Sequence, residues 1–276
     1  MTTSLMEFQA GRGPTEMYET FWVPCTLWPH AISLVEHVQP GDQVLDVGAG
    51  TGLLAELASA RVGASGHVTA LEPTPFMLDL LHEKYDGSTR IDVVGKSIEE
   101  ATFPDGTFDT LLCHQVVQYI ADLPAAFEQM HRVLKPRGKL VIGVWSGPED
   151  QDASALEPGF RVHLGEEFAP IHAWSFGGLG RLKKLAEAAG FNVEVLETQA
   201  RPSNFRSVEE LLNVHIAGGM RFIDGDIHMG IFDLDDQSFV PKVEALYADL
   251  HKQLGQYEGQ SRLEISFASD VLIARA

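Results

Sequence analysis

The sequence is short of cysteine, of basic residues and of long apolar runs, and each shortage closes off a class of function. Only Cys25 and Cys113 occur among 276 residues, and two thiols so far apart build neither a disulfide framework nor a metal-ligand cluster. No apolar run approaches the ~20 residues that a membrane-spanning helix needs. The opening MTTSLMEFQAGRG has neither a basic segment nor an apolar one, so no signal peptide is expected and a cytoplasmic location is the simple reading. Lysine and arginine number 20 against 39 acidic residues, a formal net charge of −19. Phosphate backbones and anionic membrane surfaces are bound by clustered basic side chains, so neither nucleic acid nor membrane is an expected partner. G-x-S-x-G, H-E-x-x-H and paired-cysteine motifs are missing. Hydrolytic and zinc chemistry therefore lack support, and no metal is expected.

Hydrophobic residues make up 45% of the chain, ample for one large α/β domain over residues 1–276. Short β-rich runs alternate with amphipathic stretches, the pattern of a parallel sheet covered on both faces. The runs 43–47, 67–71, 91–94, 110–114 and 139–145 read as strands, and 191–198 and 263–276 as two more at the far edge of the sheet. Thr74 before Pro75 reads as a helix N-cap. Asp122 caps a helix whose face is Leu123, Phe127, Met130 and Leu134. A helix grouping Leu179, Leu182, Leu185 and Ala189 ends at Gly190. Ser207-Val208-Glu209-Glu210 is a capping box, and 238–254 offers another helix. Residues 10–38 and 200–262 lie outside the strand–helix rhythm and are expected to form a cap over the carboxyl ends of the strands, where ligands bind in open α/β sheets.

The most informative stretch is VLDVGAGTG, Val44 to Gly52. A strand ends in Gly48, Gly50 and Gly52 and opens a helix, which should present backbone N–H groups to a ligand. The dinucleotide pattern G-x-G-x-x-G fails, because its third glycine falls on Leu53. A nicotinamide or flavin oxidoreductase is disfavoured accordingly. Twenty residues past Gly52, Glu72 closes the second strand, placed to accept hydrogen bonds from both ribose hydroxyls of a nucleoside. Together the two features imply an adenosine-containing ligand.

At these positions the chain resembles the class I S-adenosylmethionine-dependent methyltransferases, in particular the small-molecule branch of the ubiquinone and menaquinone methyltransferases. VLDVGAGTG resembles their first motif and VTALEPTPFML the next element. SIEEATFPDGTFDTLLCHQVVQYIAD is similar to the adenine segment and fourth motif, and RVLKPRGKLVIGVW to the helix, turn and strand that follow. The resemblance implies a Rossmann-like, seven-stranded, mainly parallel sheet with helices on both faces and a helical cap. It implies S-adenosylmethionine as cofactor, with S-adenosylhomocysteine as product, and a small metabolite methylated at O, N or C. It also implies roles for single residues. Gly48, Ala49, Gly50 and Gly52 hug the methionine portion, Asp46 organises the loop and holds the ammonium group, and Glu72 holds the ribose with Pro73 beside the adenine. Ser97 and Ile98 stand where the family usually carries Asp-Ala. The backbone of Cys113 and His114 lines the methyl-transfer site, and Tyr18 closes over the sulfonium. The same fold also admits a protein that binds the cofactor without transferring methyl, as a regulator or a non-methylating catalyst.

His114, at the end of the fourth strand, is the candidate general base; alternatively only its backbone touches the cofactor. His163, His172, His215 and His228 fall in the expected cap and are weaker candidates for the acceptor pocket. Tyr18, Phe21, Trp22 and Trp28 form either an aromatic wall or the apolar face of a packed helix. The acidic run 223–236 does not meet the calcium-loop pattern and reads as a loop. The acceptor and the oligomeric state are not encoded in any pattern visible in the chain.

Overall fold

A computed structural model describes residues 13–165, 174, 176–218, 220–223, 226–229 and 237–276. The apolar runs become strands β1 (Gln43–Val47), β2 (His67–Leu71), β3 (Ile91–Val94), β4 (Phe108–His114), β5 (Leu134–Trp145) and β6 (Asn192–Pro202). β7 (Met220–Ile223) and β8 (Asp226–Met229) follow, and β9 (Ser266–Arg275) comes last. β7 and β8 pair with each other; the other seven form one sheet in the order β3-β2-β1-β4-β5-β9-β6. β1 runs parallel to β2 and β4, β2 to β3, and β4 to β5, whereas β9 is antiparallel to β5. The antiparallel β9 lies one place in from the edge; the edge strand is β6, whose residues are all partly or fully exposed.

The chain separates into two compact units. The first contains the sheet and comprises His30–Gly147, Ser175–Gln199 and Ala268–Ala276. Side chains alternate across a strand, so each face gathers its own core. Leu45, Val47, Leu111, Cys113, Leu140 and Ile142 face a layer holding Phe127, Met130 and Leu182. Val44, Leu112, Val141 and Val271 face Ala31, Leu34, Val35 and Val38. Of the segment 10–38, the part from His30 onward therefore packs on the sheet itself.

Local signals act largely as the sequence implies. Asp122 Oδ1 accepts from Ala125 N–H at 3.1 Å and starts the helix Leu123–Val133. The helix Gly178–Ala188 buries Leu182 and Ala186 and ends before Gly190, whose φ is +98°. Thr74 precedes the helix Pro75–Tyr85 but makes no side-chain capping bond; its N–H instead donates to Glu72 Oε1 at 2.8 Å.

The second unit is mainly helical: Pro14–Met17, Leu156–His163, Val208–Gly218 and Val240–Leu254 are α-helices, and Tyr18–Leu27 forms wider π-helical turns around Pro24. Such turns follow from proline, which removes one backbone donor from the ladder. Asn204 ties the segment down, its side-chain Nδ2 donating to Pro24 O at 2.9 Å and its backbone N–H to Cys25 O at 3.0 Å. Ser207 Oγ accepts from Glu210 N–H at 3.1 Å as the capping box requires, but Glu210 Oε2 accepts from Arg206 N–H at 2.6 Å rather than from Ser207. Gly159 lets its helix approach Leu250 closely; a Cβ there would sit 2.9 Å from Leu250 Cδ2.

Candidate active site

In the sheet the order of connection reverses between β1 and β4, and ligands of open α/β sheets bind where such neighbouring carboxyl ends diverge. β1 and β4 are in register, Asp46 beside Leu112. The glycine turn and the segment after His114 therefore leave the sheet side by side.

Gly48, Gly50 and Gly52 have φ of +67°, +58° and +94°, a region that a Cβ disfavours. The three serve different neighbours. A Cβ on Gly48 would lie 2.5 Å from both methyls of Val116, and one on Gly52 would lie 2.7 Å from Tyr85 Cε2. A Cβ on Gly50 would meet nothing within 4 Å. Two of the glycines are thus required by the protein's own packing, and only Gly50 borders open space.

The N–H groups of the turn are less available than the sequence implies. Gly48 and Ala49 both donate to Leu71 O, at 2.8 and 3.0 Å, and Gly52 donates to Ala49 O at 2.9 Å. Gly50 N–H donates to Glu72 Oε2 at 2.8 Å. The turn is closed largely by binding inward to the end of β2, so the N–H groups of Gly48, Ala49, Gly50 and Gly52 are already satisfied. Glu72, 5% exposed, fastens the Gly50 turn through one oxygen and the Thr74 backbone through the other. Each carboxylate oxygen keeps a second lone pair for an incoming hydroxyl.

Asp46 is 2% exposed, and its Oδ2 has no hydrogen-bond partner. Burial pushes its pKa up to about 7, opposed by a hydrogen bond from the Ala55 backbone and reinforced by the nearby charge of Glu72. A buried carboxylate oxygen without a partner costs about 1–3 kcal/mol or more, and a cation placed against it removes that cost.

The remaining expected contacts sort by exposure. Pro73 is exposed, while Ile98 is 2% exposed and packs in the first sheet core. Only the backbone of Ile98 can meet a ligand, whereas Ser97 is partly exposed and its carbonyl accepts from Glu100 N–H at 3.3 Å. Cys113 is wholly buried in the same core, and burial, then the charge of Asp46, pushes its thiol up. Tyr18 belongs to the helical unit and is 5% exposed there.

His114 points to the opposite face from Cys113. It pairs with Gly143 across β5, where a Cβ would lie 3.3 Å from its Cδ2. Its Nε2 is buried without a partner, and burial, then the neighbouring His30, lowers the pKa to about 3. The imidazole is consequently neutral at physiological pH. Four neighbours, His30, Trp145, Gln115 and Ser269, are not among the candidates read from the sequence. His30 lies 3% exposed with its ring 6.5 Å from that of His114 and 5.2 Å from Trp145. Gln115 has φ of +58°, donates from its backbone to Gly143 O at 2.7 Å, and donates from Nε2 to Ser269 Oγ at 2.9 Å. Its Oε1 has no partner. A left-handed conformation costs a residue with a side chain roughly 1–2 kcal/mol, and here it turns the chain so that Val116 covers Gly48.

The weaker histidine candidates are elsewhere. His163 Nε2 pairs with Asp249 at 3.1 Å, and His215 is buried in the helical unit. His172, much of the acidic run 223–236 and the side chain of His228 lie outside the described residues. Among the described residues no group of three His, Cys, Asp or Glu side chains is gathered for a metal ion, and no helix is long and apolar enough to cross a membrane.

Residues 45–142 match the family model described as a methyltransferase domain. A demethylmenaquinone methyltransferase of Symbiobacterium thermophilum is 29% identical over 161 residues, which cover 57% of this chain and 62% of the relative. The ubiquinone/menaquinone biosynthesis C-methyltransferase UbiE of Vibrio vulnificus is 32% identical over 141 residues, or 50% of this chain and 54% of the relative. The matches thus span little more than half the length of these curated relatives. Among solved structures, a protein from Anabaena variabilis described as a methyltransferase of an antibiotic biosynthesis pathway superposes with a TM-score of 0.61 at 20% identity, over 92% of this chain and 98% of its own.

Proposed function

We propose that this chain is a class I S-adenosylmethionine-dependent methyltransferase, which transfers the methyl group of that cofactor to O, N or C of a small metabolite. One observation carries the reading: an unpartnered buried carboxylate, a glycine bordering open space and a second, anchored carboxylate stand together where the sheet order reverses. These residues fit the cofactor. Asp46 Oδ2 would take the ammonium group, Gly50 would admit close approach, and Glu72 would accept from the ribose hydroxyls. The adenine would lie by Pro73, Ser97 and Ile98, with the backbone of Cys113 and His114 nearer the sulfonium. The short length shared with the relatives keeps their named substrates from being carried over.

Bound there, S-adenosylmethionine supplies a methyl group on a sulfonium, released by in-line displacement with the bonding electron pair returning to sulfur. The chain's part is alignment, exclusion of water and custody of one proton. His114 is the candidate acceptor of that proton at Nε2, because burial keeps the ring neutral down to about pH 3. A cytoplasmic setting and the absence of a nucleic-acid partner are part of the same proposal and rest on the acidic composition.

Calorimetric titration with S-adenosylmethionine and S-adenosylhomocysteine tests the reading. We expect micromolar binding, weakened ~10–100-fold in Glu72→Ala, because losing two hydroxyl partners costs about 1.5–3 kcal/mol. An unchanged dissociation constant in that variant sinks the ribose assignment. Tight binding with labelled methyl reaching no acceptor would point instead to a cofactor-binding protein without transfer.

A further inference from the structure

The carboxyl ends of β4 and β5 hold a group of buried polar residues that cofactor binding does not account for. His114 and Trp145 lie on the face covered by the helix Trp28–Val35, since a Cβ on Gly143 would meet both Leu34 Cδ1, at 2.9 Å, and His114 Cδ2. The His30 ring contacts the Trp145 ring edge-on. Ser269 pairs with Trp145 in the β5–β9 register and receives the Gln115 amide at 2.9 Å. Gln115 and Ser269 are 5% and 1% exposed. His114 Nε2 and Gln115 Oε1, both in this group, are without partners.

Buried polar atoms in folded proteins are nearly always paired, and those left over mark a missing ligand or water. Gln115 is already fixed at two points, by its backbone N–H and by its Nε2. Its amide oxygen is held rigidly, in a strained backbone conformation, with nothing to accept from. An amide oxygen takes only hydrogen-bond donors. Neither Lys nor Arg belongs to the group, so an anionic acceptor finds no counter-charge.

We propose that Gln115 is a specificity-determining residue of the methyl-acceptor site. Its Oε1 accepts a hydrogen bond from a neutral acceptor bearing an O–H or N–H group, and Ser269 acts as its positioning residue. The inference rests on the methyltransferase reading and adds the class of acceptor: neutral and hydrogen-bond-donating, not carboxylate or phosphate.

The test uses protein saturated with S-adenosylhomocysteine and three probes of one ring size: phenol, which donates; anisole, which does not; and benzoate, which is anionic. Binding is followed through the side-chain amide resonances of Gln115. Phenol is expected to shift them and to bind about fivefold more tightly than either other probe, the worth of one hydrogen bond. Gln115→Leu should bring phenol and anisole to within about twofold of each other, with the affinity for S-adenosylhomocysteine unchanged. Ser269→Ala should narrow the preference while leaving the oxygen in place. Equal affinities in the wild type, no phenol shift, a preference surviving Gln115→Leu, or loss of S-adenosylhomocysteine in that variant would each overturn the proposal. Should Gln115→Leu fail to fold, the wild-type ratio and Ser269→Ala decide. Failure of the wild type to bind S-adenosylhomocysteine is a separate result, and it brings down the cofactor reading instead.

Discussion

His114 at the carboxyl end of β4 and His215 in the helical unit are both buried, and burial lowers both pKa values, to about 3 and about 4. Their surroundings differ. His215 shares a hydrogen bond of 2.8 Å between Nδ1 and Leu211 O, stacks on Phe267 and meets Trp22 edge-on at 4.5 Å. His114 has an Nε2 with no partner. The acids repeat the contrast: Glu210 accepts from the backbone and side chain of Arg206, whereas Asp46 Oδ2 accepts from nothing. Burial and a displaced pKa are common to both regions. Unmet hydrogen-bonding capacity is what distinguishes His114 and Asp46 from His215 and Glu210.

The largest effect that would sharpen this contrast is on turnover. His114→Phe is expected to lower kcat by ~10²–10⁴-fold, the usual worth of a positioned base, with unchanged S-adenosylhomocysteine affinity and no loss of thermal stability. A variant retaining full kcat would leave His114 with a backbone role alone. Next in size is the difference between two glycines. Gly52→Ala should destabilise the fold by about 2–4 kcal/mol through positive φ and collision with Tyr85, read by chemical denaturation. Gly50→Ala should cost only about 1–2 kcal/mol yet block the cofactor; equal stabilities would break the assignment.

Asp46→Asn comes third, with an expected ~10–100-fold loss of affinity for S-adenosylhomocysteine. Its pH behaviour has a definite sign. The folded pKa of about 7 lies above the ordinary 3.8, so between these values the unliganded folded state binds the extra proton. Stability from this group is therefore largest below about pH 4 and falls as pH rises toward 7. Asp46→Asn should remove that decline and raise Tm at pH 8. Affinity for a cationic ammonium group runs the other way, weakening below pH 7 by up to about tenfold per unit. Smallest is His215→Leu, expected to cost about 1 kcal/mol for one lost hydrogen bond and to leave cofactor affinity untouched. Loss of binding in that variant would erase the distinction between the two regions.

Most of the sheet is legible in the sequence because buried parallel strands are nearly continuous apolar runs bounded by turn residues. The Asp122 cap and the Gly190 stop are local chemistry, and they too are readable. The antiparallel strand one place in from the edge is not, since the order of β9 and β6 depends on contacts between distant segments. The glycine turn is legible as a turn, but which of its glycines borders open space is not; that depends on Val116 and Tyr85, far along the chain. Gln115 was invisible because glutamine has no preference for the left-handed region, and His30 because it comes from a helix before the first strand.

The contact between Gly48 and Val116 has a consequence for how this sequence can change. A Cβ at position 48 has room only after the side chain at 116 has shrunk, so order matters between two substitutions that are 68 positions apart. Val116→Ala first and Gly48→Ala second is the passable route; the reverse traverses a collapsed turn. The two sites should accordingly behave as an epistatic pair, and a library that randomises one while holding the other fixed will underestimate what the turn tolerates.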